Sequence, residues 1–225
     1  PELALTALLA LLPVQAPGVG RDVRYDITVR GQGTFRVVLH DGSGSVAAPT
    51  RDAGDPDVAV VGGFDALVPL AAGGAARRLT AVEVVGPRRR LRRVLKACRK
   101  PVSLVSLLRA GVAPPPRVLL TLLAGSVDPA WTADTPLTVD FLLSGEPGGT
   151  WRVQATGTDP LTVTQPDADA PEAGATLHLS AASLLPLLAA LPLPPGERLL
   201  VSGDPAVARR LGSWFARAQG LPPGV

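Results

Sequence analysis

The chain repeats itself, and no other feature constrains its fold as tightly. The segment TFRV at 34–37 returns as TWRV at 150–153, and the stretch before it carries Asp26 and Gly31 where the later copy carries Asp140 and Gly145. Farther on, Pro69 and Pro186, Gly86 and Gly203, and the runs beginning at Arg92 and Arg209 all stand at one common spacing. The acidic loops keep it, with Asp52 answering to Asp169 and Asp55 to Glu172. At the start of each copy, Leu3, Leu5, Thr6 and Leu8 match Val118, Leu120, Thr121 and Leu123 at a slightly shorter spacing, so the second copy holds a small insertion, mostly in the turn 146–149. Self-similarity on this scale means one supersecondary unit used twice.

Each copy reads as helix, three-stranded meander, strand, helix, strand, helix. Val23, Tyr25, Ile27 and Val29 alternate with Arg24, Asp26, Thr28 and Arg30, the period of a half-buried strand, and Leu137, Val139, Phe141 and Leu143 repeat the pattern. Second strands follow at 35–39 and 151–155, and the glycines at 42–44 turn the chain into a third. Fourth strands at 58–62 and 176–179 lead into short Leu-rich helices, and fifth strands end at Val84 and Val201 before a glycine and a closing amphipathic helix. Gly203, Asp204 and Pro205 are a helix start: the Asp accepts from free amides, and Pro at the first position loses no hydrogen bond. The expected organisation is a first repeat over 1–100, a linker over 101–116 that ends in Pro114, Pro115 and Pro116, and a second repeat over 117–225.

In this order of elements each copy resembles the sterol carrier protein 2 family of lipid-binding domains. The residues that carry the likeness are DVAVVGGFDALVPLAAG at 57–73, and ATLHLSAASLLPLLAAL at 175–191 with LLVSGDPAVARRLGSWF at 199–215. The resemblance implies an α+β fold of two tandem sterol-carrier-like domains, each a mixed, mostly antiparallel five-stranded sheet backed by helices. It also implies an apolar pocket for a sterol, fatty acid or acyl-CoA, and no universal catalytic residue or cofactor. The first copy departs from the pattern by replacing Gly-Asp with Gly86, Pro87 and an arginine run, so the second is expected to hold the pocket. Its candidate lining is Leu184, Leu187, Leu188, Leu211, Trp214 and Phe215. The bland alternative is that these six simply fill a core.

Charge is the other uneven feature. Arg88, Arg89, Arg90, Arg92, Arg93, Lys96, Arg99 and Lys100 crowd one segment without acids, so the rest of the chain is net acidic although the whole carries +3. At helical spacing Arg89, Arg92, Arg93 and Lys96 share a face opposite Leu91, Val94, Leu95 and Cys98. Such a face suits an anionic membrane surface or an acidic protein, or is merely solvated. No aromatic residue interleaves it, which argues against nucleic acid.

Chemistry is sparsely represented. His40 and His178 are the only histidines, both read as exposed strand residues, and no nucleophile elbow, zinc-protease or dinucleotide motif occurs. The acidic loops, Asp52, Asp55 and Asp57 against Asp167, Asp169 and Glu172, lack calcium-loop spacing. Cys98 is the single cysteine, which rules out an internal disulfide and suits a cytoplasmic home, with the thiol packed as a small apolar group. Residues 3–12 are apolar enough for a secretory core segment but lack a basic flank, and read as the first helix. No uninterrupted apolar run reaches the roughly 18 residues that a membrane span needs. The expectation is a non-enzymatic carrier or sensor whose partner is an apolar small molecule or lipid, without catalytic residue, metal or cofactor. Its rivals are an accessory domain of a thiol-dependent isomerase-type enzyme and an interaction module that docks an acidic partner through 88–100.

Overall fold

A computed structural model describes residues 2–15, 22–40, 42–50, 54–71, 82–87, 89–91, 94, 104–157 and 159–221. The chain divides into two compact units, Pro1–Pro114 and Pro115–Val225. The first contains α1 (Glu2–Gln15), β1 (Val23–Val29), β2 (Gly33–His40), β3 (Ser43–Ala47), β4 (Val58–Gly62), α2 (Phe64–Ala71), β5 (Glu83–Val85) and α3 (Leu104–Arg109). The second contains α4 (Pro116–Ser126), α5 (Pro129–Thr132), β6 (Leu137–Ser144), β7 (Gly149–Ala155), β8 (Thr162–Thr164), β9 (Ala175–Ser180), α6 (Ala181–Leu188), β10 (Leu200–Gly203) and α7 (Pro205–Ala218). Among the described residues no helix is long and apolar enough to cross a membrane.

The two sheets have one topology. Strands run in the order β3-β2-β1-β4-β5 in the first unit and β8-β7-β6-β9-β10 in the second. The central strand pairs antiparallel with its hairpin partner and parallel with the strand after the meander, β1 with β4 and β6 with β9. Both are mixed, mostly antiparallel sheets of five strands, backed by helices. The hairpins differ where the sequence spacing drifts: Val29 faces Gly33 across residues 30–32, whereas Leu143 faces Gly149 across 144–148, a turn two residues longer.

One face of each sheet is the core side. Along β1 the buried residues are Val23, Tyr25, Ile27 and Val29, and along β6 Leu137, Val139, Phe141 and Leu143 alternate inward in the same way. α4 is buried on nearly every side and opens at Pro116, where the missing amide hydrogen costs nothing. The final helix, α7, starts at Asp204, whose side chain accepts from the Ala206 N–H at 2.7 Å, and buries Leu211, Trp214 and Phe215. Its approach depends on Gly203, which sits at φ 80° with the space for a Cβ blocked by the Gly174 carbonyl at 2.6 Å.

On the opposite face each sheet carries a buried ion pair that the sequence pattern alone does not announce. Asp26 stands directly across from Arg36, and Asp140 from Arg152. Arg36 grips Asp26 through Nε at 2.6 Å and Nη2 at 2.9 Å, and Arg152 grips Asp140 at 2.8 Å and 2.9 Å. The side chains are 9% and 13% exposed in the first pair, 11% and 13% in the second. The hydrogen bond to each Asp raises the Arg above its ordinary value, against the opposing effect of burial. Because the folded-state value is the higher one, this contribution is intact throughout the neutral range and is lost only as pH rises through it.

One sequence expectation fails here. The segment 101–116 is not a linker: α3 lies within it, burying Leu104 and Leu107 in the first unit, and Pro116 opens α4 of the second. The division between units falls at Pro114–Pro115. The apolar spacing of Leu104 and Leu107 is that of a helix face, and the flanking prolines mask it.

Two outcomes follow. Residues 115–225 made alone should unfold in a single cooperative transition in chemical denaturation, since every strand of the second sheet lies within them. Asp140→Ala, which leaves Arg152 without its partner, should cost about 3 kcal/mol in the same measurement. The double variant Asp140→Val with Arg152→Leu should recover most of that loss.

Candidate functional site

The second unit contains a cavity of about 610 Å³ between α7, the end of α6 and strands β9 and β10. Three elements shape it. From α6 and the turn after it come Leu187, Leu188 and Ala190. That turn is tight because the Ala190 N–H donates to the Leu187 carbonyl and the Leu191 N–H to the Pro186 carbonyl, each at 3.0 Å, with Ala190 at φ 53°. From the sheet come Phe141, Leu177 and Val201, all on its inner face, with Leu199 just before β10.

The wall contributed by α7 differs from the rest of that helix. Pro205, Ala208, Gly212 and Ala216 recur one turn apart, with Arg209 and Ser213 beside them. A Cβ placed on Gly212 would meet nothing within 4 Å. Leu211 and Phe215 turn from this wall into the core and touch both. The cavity therefore exists because the helix presents small side chains where a packing face would carry large ones. β10 offers no further cover: all its residues are exposed, Leu200 to 63%.

Of the six lining residues expected from sequence, Leu187, Leu188, Leu211 and Phe215 border this space. Leu184 and Trp214 do not, and lie buried in the core behind it. Sequence reasoning missed Phe141, Leu177 and Val201, which come from strands, Leu199, which precedes β10, and Arg209, the one charged residue in the wall among the described residues. Of the basic face, Arg89 is exposed, while Arg92, Arg93 and Lys96 lie outside the described residues, as do Asp52 and Cys98. In the first unit a void between α1, β1 and α2, lined by Ala4, Leu8, Ile27 and Phe64, measures about 10 Å³, about the volume of one water.

Neither histidine faces the cavity. His178 alternates with Leu177, so its ring is on the outer side of the sheet, where Nε2 meets Ser202 Oγ at 3.1 Å. His40 contacts Asp22 in the first unit. Among the described residues no three acidic, His or Cys side chains gather as metal ligands, and Asp57 Oδ2 instead accepts from the Arg24 N–H at 3.2 Å.

No protein-family pattern matches the chain, and no curated protein matches it in sequence. Solved structures that match parts of it include a ubiquinone synthesis protein, UbiJ-SCP2, at 20% identity over 42% of this chain and 76% of that one, with a TM-score of 0.28. Sterol carrier protein 2 from Yarrowia lipolytica, in its apo form, matches at 19% identity over 44% and 81%, with a TM-score of 0.25. The stereoselective inverting sec-alkylsulfatase Pisa1 from Pseudomonas sp. matches at 17% identity over 58% of this chain, with a TM-score of 0.38, and the chain spans 22% of its length. The first two matches each cover less than half of this chain.

Proposed function

We propose that the second unit binds a lipid or another apolar ligand in this cavity, without catalysing a reaction, and that the two units are copies of one sterol-carrier-like design. The observation that carries this is the cavity itself. Its volume of about 610 Å³ falls within the range of roughly 300–1,000 Å³ typical of small-molecule sites. Protein interiors pack as densely as organic crystals, so an apolar recess of this size beside a packed core is space that a ligand can occupy. The alternative, a closed core, would place larger side chains at Ala208, Gly212 and Ala216. The His178–Ser202 pair lies on the other side of the sheet, away from anything the cavity holds. A carrier or sensor needs no more than this: apolar walls and an opening.

Gly212 supplies the test. Gly212→Leu places a side chain in open space, so a fluorescent fatty acid that binds the parent and is displaced by an unlabelled long-chain competitor should bind the variant about tenfold more weakly or worse. The melting temperature should hold or rise, because glycine inside a helix costs about 0.5–1 kcal/mol relative to alanine. A closed core gives the opposite pair of results: no binding by the parent, and a variant destabilised by about 1–3 kcal/mol through overpacking.

A further inference from the structure

Among the described residues the wall of the cavity carries a single charge. Arg209 stands on α7 one turn after Pro205 and one turn before Gly212 and Ser213, and is exposed, so it sits at the rim. Among the described residues no carboxylate lies within ion-pair distance of it. The acid at the start of its own helix, Asp204, is engaged by the Ala206 N–H. Ser213, the one hydroxyl in the wall among the described residues, donates to the Arg210 carbonyl at 2.7 Å. The rim is thus positive, with no counter-charge within ion-pair distance among the described residues.

A guanidinium in this position has two physical uses. Its aliphatic stem can lie along apolar surface while the head stays in water, which serves solubility only. Alternatively the head can pair with an anion that arrives with the ligand, for which its planar fork of donors suits carboxylate and phosphate oxygens. The second use fits a cavity that is otherwise apolar, because an amphiphile entering it would leave its polar end at the rim beside Arg209.

We propose that the ligand is an amphiphile with an anionic head, a carboxylate or a phosphate monoester on an apolar chain, and that Arg209 selects it over a neutral molecule of the same length. This rests on the cavity being a ligand site. The pair would be solvent-exposed, so its contribution is modest, about fivefold in affinity, and it should weaken with added salt.

The experiment is a displacement assay on the full chain with three competitors of equal chain length: dodecanoate, dodecyl phosphate and dodecanol. In the parent the two anions should displace the probe about fivefold more tightly than the alcohol. Arg209→Gln should bring them down to the alcohol's level while leaving the alcohol unchanged, and Arg209→Lys, which keeps charge and stem, should retain most of the preference. The anion that loses more in the Gln variant is the better match for the natural head group. Equal binding of all three by the parent, or a preference that survives Arg209→Gln, would overturn this selection and leave the cavity as a site for neutral chains. Failure of all three to displace any probe would instead remove the cavity as a ligand site.

Discussion

Each sheet has one face that must be kept from water, and the placement of the helices follows from that requirement. In the second unit Val139, Phe141 and Leu143 of β6 and Leu177 and Leu179 of β9 point to the same side and are buried there. α4, α6 and α7 supply the cover. The cover is uneven. Leu184, Leu211 and Trp214 are buried, but toward the cavity beside β10 α7 offers Ala208, Gly212 and Ala216, and the strand itself is exposed. The cavity lies at this thin edge, so it is a consequence of which residues α7 turns toward β10.

The outer face needs a different solution, because charged groups sit on it. Asp140 and Arg152 are directly opposed across the hairpin and satisfy one another with two hydrogen bonds, as Asp26 and Arg36 do in the first unit. A slip of one residue in the pairing would send the apolar set of β6 outward and turn the carboxylate into the core. The pair and the apolar alternation therefore specify the same register from opposite sides of the sheet. In the first unit the Arg36 guanidinium also donates to the Gly54 carbonyl, which ties the loop before β4 to the outer face.

Much of the architecture was legible in the sequence. Alternation placed β1, β6 and their neighbours, the matched glycines marked the entry to the last helix, and the spacing drift put the insertion in the turn 146–149, which overlaps the observed turn 144–148. Other features were hidden for identifiable reasons. Leu104 and Leu107 make too short a helix to stand out between prolines. The Asp–Arg pairs require knowing which residues face each other across a hairpin, which depends on turn length. In the site, large apolar residues drew attention to themselves: Leu184 and Trp214 look like lining but point into the core, because a rotation of one residue along a helix separates cavity from interior. The residues that make the space, Ala208, Gly212 and Ala216, are recognisable as a small-residue stripe only once the sheet beneath them is known. Arg209 reads in isolation as an ordinary surface cation.

Native mass spectrometry of the full chain tests most directly whether the cavity in the second unit is a ligand site. After incubation with a long-chain fatty acid, the protein should carry one molecule per chain, matching the cavity in the second unit. A chain that remains at its bare mass across the same range of ligand, while its fold is intact, would contradict it.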